Sequence, residues 1–463
     1  MRVLFIYPDI CAASGRFQQG IGYLSSVLKK DGHKTFLLHV KKEVSKEKLC
    51  GEVHRLNPDI IGFSTTTNQY PYVRLYSSWI KGNFDIPIVC GGIEPTLSPD
   101  KVISDKNIDV VCVGEGEYPL LELVNRLEDG KDITDIKNLW IKVGEKLYRN
   151  LVRPLIENLD EMPFPDRDLF HYDKILKRFR YTAELITGRG CPFNCTYCCN
   201  HALRKLYQGK GIYVRRRSVE NVLNEIEYIV EKHNVKKLLF DDDTFTLHPN
   251  WIEEFCGKYA KEFNIPFSCN AFPTTLNETI VHELKKAGCD EISIGIESGN
   301  EWLRKTVLKR EVTNEQIVKA FRLAHEAGIK TCSFNMVGLP YETPEMIEDT
   351  IKLNCLINPN NIQVSVFYPY PGTRLYEVCK ENGWITCSRK LSYFEEGTTL
   401  NLPTFTSEQI TYYYRRMYQL SIDRIVSSRY PFIHPFYNTI KLLLGESLAY
   451  NVSIIARKIL FQY

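Results

Sequence analysis

Three cysteines stand in one short stretch of the sequence, at a spacing that suits a metal centre. Cys191, Cys195 and Cys198 are separated by three and then two residues within Thr187–Asn200. Iron–sulfur clusters are held by cysteine thiolates, normally four, so a set of three leaves one iron open to another ligand. Zinc is the alternative, but structural zinc takes four ligands and no further Cys/His pair follows this loop. Because adjacent residues rarely reach the same cluster, we expect Cys199 to pack rather than to bind.

The remaining cysteines are best explained by packing. The chain has 15 cysteines, and its N-terminal run is too short and too soon broken by Pro8 to be a signal peptide. We therefore predict a cytoplasmic protein, in which disulfides are rare. Free cysteine behaves as a small hydrophobe in apolar, strand-like runs. Four cysteines lie in such runs and are predicted to be buried: Cys90, Cys112, Cys289 and Cys332.

The composition is that of a globular protein of several units. At 463 residues, the chain is long enough for roughly three domains. Hydrophobic residues make up 44% and charged residues 25%, which excludes a disordered or collagen-like chain. The net charge of +3 gives no overall electrostatic case for nucleic acid. No apolar run reaches the 18 or so residues that a membrane span needs.

Residues 1–130 alternate short apolar runs with helical stretches, which predicts a doubly wound, Rossmann-like parallel sheet. The predicted strands are Val3–Tyr7, Asp59–Ser64, Ile86–Cys90 and Val110–Val113, and the first helix runs from Gly20 to Lys30. In such a sheet, ligands bind beyond the carboxyl ends of the strands. Glycines, hydroxyls and one carboxylate follow these ends and are candidate ligand-binding residues, with turn formation alone as the alternative: Ser64, Thr65, Gly91, Gly92, Thr96, Gly114, Glu115 and Gly116.

Two further regions precede the C-terminal end. Residues 131–180, with prolines and acidic residues, are predicted to be an extended connector. Residues 181–380 contain a second strand–helix series that predicts a (β/α)6 partial TIM barrel, with its active site at the carboxyl ends of the strands. Its predicted strands are Ala183–Thr187, Lys237–Phe240, Phe267–Asn270, Glu291–Ile296, Lys330–Met336 and Gln363–Phe367.

Residues 381–463 are predicted to be mainly helical. Ser407–Ser427 has a helical pattern, with Ser407 as its cap and several tyrosines along it. The region either packs as a cap on the barrel or contributes to substrate binding. Its basic and apolar end, which contains Lys441, Arg457 and Lys458, suggests a peripheral contact with a membrane or a lipid-like substrate.

The cysteine loop resembles the signature of the radical S-adenosylmethionine (SAM) superfamily. The spacing of the three cysteines and the aromatic Tyr197 before the last of them both match. The resemblance implies a 4Fe–4S cluster on Cys191, Cys195 and Cys198, with SAM bound at the open iron and cleaved to a 5′-deoxyadenosyl radical. It also implies an external one-electron reductant such as flavodoxin or ferredoxin.

Later segments are similar to the SAM-binding segments of that family. Asp242 and Asp243 after the second barrel strand would accept from the SAM ammonium group, unless they cap the helix before Pro249. Glu297 and Ser298 belong to a Gly-x-Glu-Ser-Gly segment whose glutamate would bind the ribose hydroxyls. The resemblance further assigns Gly338 to the backbone that holds the adenine. It also assigns one arginine of the run Arg215–Arg217, with Arg216 as our candidate, to a SAM or substrate carboxylate.

The N-terminal region resembles the cobalamin-binding domain that precedes many of these barrels. The matching residues are Gly20-x-Gly22 and the candidate residues from Ser64 to Gly116. They would bind cobalamin. The Asp-x-His-x-x-Gly motif that supplies an axial histidine to cobalt in some relatives is missing, because no histidine follows Asp9 before His33.

These resemblances predict a cobalamin-dependent radical SAM methyltransferase that methylates an unactivated carbon of a small or lipid-like substrate. A cyclase or rearrangement enzyme with the same cofactors is the first alternative. A methylthiotransferase is another, because Cys11, Cys50 and Cys90 are loosely spaced like the extra cluster ligands of that family. A corrinoid or redox sensor without turnover is the non-enzymatic alternative.

Overall fold

The N-terminal part of the chain forms one seven-stranded sheet. The structure is a computed structural model that describes residues 1–10, 15–386 and 395–429, together with 432 and 439. The strand order is β2-β1-β3-β4-β5-β6-β7, parallel from β1 to β5 and antiparallel from there on. The strands are β1 (Arg2–Pro8), β2 (Lys34–Val40), β3 (Ile60–Ser64), β4 (Ile88–Gly91), β5 (Val110–Cys112), β6 (Leu139–Val143) and β7 (Lys146–Arg149).

Helices cover both faces of this sheet, as predicted for a doubly wound fold. They are α1 (Gln19–Lys30), α2 (Lys46–Leu56), α3 (Tyr70–Lys81), α4 (Ile93–Leu97), α5 (Pro99–Ile103) and α6 (Glu117–Glu128). The four central residues of β1, from Val3 to Ile6, are almost completely buried, which explains why this strand reads as a continuous apolar run. The side chain of Gln18 accepts from the Ile21 amide and so begins α1.

The sheet is larger than the sequence indicated. No strand was expected at β2, whose mixed residues are mostly half-buried. The β6–β7 hairpin lies in the region predicted to be a connector, so the sheet continues past the predicted boundary at residue 130. The hairpin pairs with β5 through antiparallel bonds such as Val110 to Ile141, a long-range pairing that local pattern does not reveal.

The second half of the chain forms a curled, half-barrel sheet of six parallel strands, in agreement with the predicted partial barrel. Its order is β15-β14-β13-β12-β11-β8, and a separate two-stranded ribbon joins β9 to β10. The strands are β8 (Thr182–Leu185), β9 (Gly188–Arg189), β10 (Arg215–Arg216), β11 (Lys237–Phe240), β12 (Phe267–Ala271), β13 (Cys289–Glu297), β14 (Lys330–Val337) and β15 (Asn361–Val366). The remaining helices up to residue 381 are α7 (Tyr172–Arg178), α8 (Asn200–Leu206), α9 (Val219–Lys232), α10 (Pro249–Glu262), α11 (Glu278–Lys286), α12 (Asn314–Glu326), α13 (Pro344–Ile357) and α14 (Arg374–Glu381).

The last described helix, α15 (Ser407–Arg429), packs on the barrel. Its residues Ile410, Tyr414 and Met417 are buried in the same core as β14 and β15. Thr406, rather than the predicted Ser407, caps it: the Thr406 hydroxyl accepts from the Gln409 amide at 3.3 Å, and the Gln409 side chain accepts from the Thr406 amide at 2.9 Å. The cap is one residue earlier because Thr406 and Gln409 form this reciprocal pair.

The predicted membrane-contact segment lies outside this account. Lys441, Arg457 and Lys458 are not among the described residues. Within the described part of the chain, no helix combines the length and the apolar character needed to cross a bilayer.

A buried ion triad ties the region between the domains to the barrel. Arg167 lies 2.7 Å from the Glu225 carboxylate on α9, and Arg217 pairs with the same carboxylate. Burial opposes the charge on Glu225, but the two guanidinium groups hold its pKa below the ordinary value. Because removing one partner would leave a buried uncompensated charge, the triad fixes how this segment meets the barrel.

We predict that Gly299→Ala destabilises the protein. A Cβ at Gly299 would overlap the backbone of Asp349 and Thr350 in α13, where neither can move independently of the helix. Overpacking of this kind costs about 1–3 kcal/mol. Gly257→Ala is the matched control, because Gly257 lies within α10 with open space around it and the change should stabilise by about 0.5–1 kcal/mol. Thermal midpoints that move the same way in both variants would contradict the prediction.

Candidate active site

The cysteine loop follows the short ribbon at the mouth of the barrel. Gly188 and Gly190 are needed there, because a Cβ on Gly188 would come within 2.7 Å of the Arg215 carbonyl and one on Gly190 would overlap the Tyr213 carbonyl. Cys195 is buried, and Cys191 is half-buried like Cys198. The ribbon therefore fixes the start of the loop directly at the open end of the barrel.

Two nitrogen donors reach the sulfurs of this loop. Arg310 donates to the Cys195 sulfur at 3.8 Å, and Asn200 donates to the Cys198 sulfur at 3.5 Å. The Cys199 thiol also hydrogen-bonds to Cys198 and lowers its pKa. These donors favour thiolates, the form that binds metal, but burial outweighs them at Cys191 and Cys195 and raises the pKa of both thiols.

The donor set fits an iron–sulfur cluster. Three cysteines on one loop would hold such a cluster and would leave one iron open to another ligand. Among the residues that the structure describes, no three His, Cys, Asp or Glu side chains converge on a single-ion site. Cys199 is half-buried and lines the larger cavity described below, and its role outside the ligand set stays a prediction.

The three aspartates after β11 have different partners. Asp242 is buried and accepts from both the amide and the hydroxyl of Thr187, the latter at 2.8 Å, which ties it to the segment after β8. It also lines the larger cavity described below. Asp243 accepts from Asn200 at 3.0 Å and opens onto the cleft next to the cysteine loop. Neither caps α10, whose capping residue, His248, makes no side-chain cap bond.

Asp241 was not predicted to be a site residue. Its carboxylate opens onto the same cleft, and burial together with the nearby Glu184 raises its pKa to about 6. The signal was present in the sequence, since Asp241 is the first acid after a buried strand.

Glu297 lies beside the cysteine loop, as the resemblance implies. Its backbone is in the left-handed region, with φ of 68°, at the end of β13. Tyr197 hydrogen-bonds to its carboxylate, and burial raises its pKa while Arg310 opposes this. Ser298, in contrast, is fully buried and accepts from the Asn300 amide at 3.2 Å, so its hydroxyl forms a turn.

Gly338 does not border the cleft in this structure. A Cβ there would lie 3.1 Å from Ile410, so the residue sits beneath α15. The Gly338 and Leu339 amides donate to the Glu342 carboxylate at 2.7 and 3.1 Å. Burial raises the pKa of Glu342 to about 8, and α15 thus acts on this stretch as a packed cap.

Arg216 differs from its two neighbours. Arg215 donates to Glu115 at 2.8 Å and Arg217 pairs with Glu225, whereas Arg216 lies over the Trp251 ring at 4.4 Å. Its Nη1 is buried without a hydrogen-bond partner within the described structure. A buried unpaired guanidinium nitrogen is suited to an incoming carboxylate.

Two adjoining cavities lie between the sheet and the barrel. The larger, of about 440 Å³, is lined by Gly92, Thr96 and Gly114 from the sheet and by Cys199 and Asp243 from the barrel. The smaller, of about 240 Å³, continues under the carboxyl edge of the sheet. It is lined largely by apolar groups and by Ser64, Gly91, Gly92, Gly114, Glu115 and Gly116. We call the two cavities together the cleft, and residues of both domains line it.

Three of the predicted cofactor residues have structural tasks. Thr65 lines neither cavity and is buried. Gly92 has φ of 102°, and a Cβ on it would come within 2.6 Å of the Thr65 carbonyl, so only glycine permits this approach. Glu115, at 3.0 Å from Arg189 and 2.8 Å from Arg215, joins the two domains.

Two residues of the barrel side complete this junction, and neither was predicted. Arg189 also pairs with Glu117 at 2.6 Å, and the Tyr207 hydroxyl accepts from the Glu115 amide at 2.7 Å. The space for Tyr207 exists because Gly114 has no side chain. Glu115 and Arg215 are 100 residues apart in the chain, so a local sequence pattern cannot reveal that they pair.

The cleft fits a large cofactor with an amide-bearing rim. The Gln19 side-chain oxygen is buried, lines the larger cavity and has no hydrogen-bond partner within the described residues. A corrinoid carries amide donors around its ring, which would satisfy such an acceptor. The apolar smaller cavity offers room for an aromatic arm of the same molecule.

Comparison with known proteins decides the family. The model of the radical SAM superfamily matches residues 185–353, and that of the B12 binding domain matches residues 12–124. The chain is a radical SAM protein with a B12-binding domain. Its cofactors are accordingly a 4Fe–4S cluster, SAM and cobalamin.

Relatives of this radical SAM protein cover most of its length. An uncharacterized methyltransferase of Pyrococcus horikoshii is 29% identical, over 90% of this chain and 92% of the relative. An anaerobic magnesium-protoporphyrin IX monomethyl ester cyclase of Rubrivivax gelatinosus is 28% identical, over 81% of this chain and 70% of the relative.

Two solved structures share the fold of the radical SAM protein. The methyltransferase TsrM from Kitasatospora setae, with cobalamin and a 4Fe–4S cluster bound, matches with a TM-score of 0.68 and 17% identity, over 84% of this chain and 76% of that chain. The cobalamin-dependent enzyme OxsB, with aqua-cobalamin and SAM bound, matches with a TM-score of 0.70 and 18% identity, over 100% of this chain and 75% of that chain.

The described residues do not support the methylthiotransferase alternative, in which Cys11, Cys50 and Cys90 would bind an extra cluster. Cys50 donates to the Trp79 carbonyl at 3.7 Å, and Cys90 is buried inside β4. Cys11 lies outside the described residues. The predicted burial of Cys90, Cys112, Cys289 and Cys332 is confirmed.

We predict a pH-dependent effect of Glu342→Gln on stability. Because the folded-state pKa of Glu342 is raised to about 8, the folded chain keeps a proton that the unfolded chain loses at its ordinary value. Wild-type stability should therefore fall as pH rises from about 5 towards 8, and the glutamine, which still accepts from both amides, should remove this loss.

The readout is the thermal midpoint of both proteins across that pH range. The gain of Glu342→Gln over wild type should grow with pH, whereas Glu345→Gln, at an exposed position of α13, should show no such growth. A gain that is the same at every pH would contradict the buried, protonated carboxyl.

Proposed function

We propose that this radical SAM protein is a cobalamin-dependent methyltransferase that acts on an unactivated carbon. The observation that carries the proposal is the shared cleft. Cys199 and Asn200, next to the three cysteines, line one cavity together with Gly92, Thr96 and Gly114 at the carboxyl edge of the B12-binding sheet. A cluster on the cysteine loop would therefore lie close to a cofactor bound at that edge. The substrate would be a small or lipid-like molecule that enters this cleft.

The chain's own residues would bind and orient the cofactors. Cys191, Cys195 and Cys198 would hold the cluster, with Arg310 and Asn200 donating to two of the sulfurs. Bound together, cluster, SAM and methylcobalamin supply a carbon-centred radical and the methyl group that it takes.

Other residues would bind SAM and cobalamin around the cleft. Asp243 opens towards the cysteine loop and would accept from the SAM ammonium group, with Asp241 beside it. Arg216 has an unpartnered nitrogen for a carboxylate, and Glu297 lies next to the loop for the ribose hydroxyls. The glycine edge of the sheet and Gln19 would contact the corrinoid.

A cyclase with the same cofactors is the second candidate, because three relatives found by comparison are named as magnesium-protoporphyrin IX monomethyl ester cyclases. Product mass separates the two functions. The protein is incubated without oxygen with cell-extract metabolites, SAM, methylcobalamin and reductant. If it methylates, one metabolite should be converted to a product that is heavier than that metabolite by one methylene. A product without that gain would favour the cyclase, and no 5′-deoxyadenosine at all would favour a sensor.

We predict that Cys195→Ala abolishes both cluster binding and 5′-deoxyadenosine formation. The buried Cys195 thiol is the central ligand of the triplet, and its loss leaves two thiolates. Iron analysis after anaerobic reconstitution should fall from about four per chain to near zero. Cys199→Ser, which keeps a hydroxyl donor next to Cys198, should retain iron and deoxyadenosine; loss of the cluster there would show that the ligands are assigned wrongly.

We predict that Gly116→Leu weakens cobalamin binding. Gly116 lines the smaller cavity with φ of −102°, so its backbone accepts a side chain while the leucine fills the space. Such overpacking costs about 1–3 kcal/mol, or roughly fivefold to 150-fold in affinity. Gly51→Leu, in open space on α2, is the control. Hydroxocobalamin affinity measured by absorbance titration should separate the two variants at equal iron content; equal affinities would refute the placement.

A further inference from the structure

One segment of the chain is exceptionally basic. The 30 residues from Gly188 to Arg217 contain seven lysines or arginines and no acidic residue, although charges nearly balance over the whole chain. Four of the seven point inward at the junction of the domains: Arg189, Arg215, Arg216 and Arg217. The other three take part in no ion pair among the described residues, and we call them the basic surface: Arg204, Lys205 and Lys210.

The basic surface adjoins the outer edge of the cysteine loop. Arg204 donates to the Pro192 carbonyl at 2.6 Å, one residue after Cys191. Pro192 is exposed, and Cys191 is only half-buried, so the loop itself reaches solvent here. The side of the loop that faces the cleft is used for cofactors, and this outer side is not.

A fourth cation and few acids surround the same edge. Arg374 is 56% exposed, and its amide donates to His201 of α8 at 3.2 Å. Its ion pair with Glu381 spans 3.5 Å at an exposed site, which contributes little. The acidic Glu157 lies near Gly211, at the end of the basic surface next to Lys210. The part of the surface formed by Arg204 and Lys205 therefore stays positive.

We propose that this basic surface is the docking site of an acidic one-electron donor protein of the flavodoxin or ferredoxin kind. The proposal rests on the proposed function, because the electron is accepted by a cluster on the neighbouring loop. Electron transfer falls steeply with distance, so a donor must approach the exposed edge of the loop. Positive charge there steers an acidic protein to that edge, and electron-transfer encounters need only a small interface.

The step balances as a single electron transfer. The donor is oxidised by one electron and the cluster is reduced by one, with no bond made or broken between the two proteins. That electron is then consumed in the cleavage of SAM. The basic surface holds the donor and is not part of the chemistry.

The test compares two double variants of the full chain, each with the same change in net charge. Lys205→Glu with Lys210→Glu reverses the basic surface without removing the Arg204 contact to the loop. Lys46→Glu with Lys48→Glu, at exposed positions of α2, is the control. The rate of cluster reduction is followed by stopped-flow absorbance, once with reduced flavodoxin and once with dithionite.

With flavodoxin at low salt, the surface variant should be reduced at least about tenfold more slowly than wild type and control, and added salt should shrink the difference. With dithionite, all three should be reduced at equal rates. Equal rates with flavodoxin would overturn the docking site, as would a slowing that salt does not affect. Wild type that contains no cluster would instead overturn the proposed function itself, and binding of an oligonucleotide to this surface with unchanged flavodoxin rates would assign it to nucleic acid.

Discussion

The arrangement of the site depends on a bridge of charges between the two domains. Arg189 stands two residues before the first cysteine and pairs with Glu115 and Glu117 of the sheet domain, at 3.0 and 2.6 Å. These side chains are largely withdrawn from water, where charges interact far more strongly than at the surface and where an unpaired charge is costly. The bridge therefore sets how far the cysteine loop stands from the carboxyl edge of the sheet.

The cleft is the consequence of that bridge. With the loop tied to the sheet, groups from both domains line one cavity: thiol and carboxylate on the barrel side, glycine backbone and hydroxyl on the other. Two buried polar atoms keep unused hydrogen-bonding capacity, and one of them, on Gln19, lies on the cleft. The Gln19 oxygen and the Arg216 nitrogen are buried and without partners in the described structure, although buried polar atoms are normally paired. Cofactors bound there would lie between groups of the two domains, which would keep much of their surface from bulk water.

The sequence predicted those parts of the fold that local pattern controls. Apolar runs marked the buried strands, and Lys237–Phe240 was placed without error because its apolar residues Leu238 and Phe240 are fully buried. The half-exposed β2 and the β6–β7 hairpin carry no such run, and their pairing comes from distant residues. The cap of α15 was misplaced by one residue, since Ser407 and Thr406 are both good capping residues and only the Gln409 side chain decides between them.

In the site too, local sequence predicted some features and could not predict those that depend on long-range packing. The spacing of Cys191, Cys195 and Cys198 was sufficient to indicate a cluster and a family. The pattern could not show that Glu115 joins the domains, that Gly338 lies under α15, or that Asp241 opens to the cleft. Each of these depends on which element packs against which, and the partners lie far apart in the chain.

The central claim is that three thiolates hold a cluster whose remaining iron binds SAM. Its most direct test is electron paramagnetic resonance of the anaerobically reconstituted, reduced protein, recorded before and after addition of SAM. The account predicts the signal of one 4Fe–4S cluster, with about four irons per chain, and a clear change in that signal when SAM binds. A signal that SAM leaves unchanged, or iron near eight per chain, would contradict it.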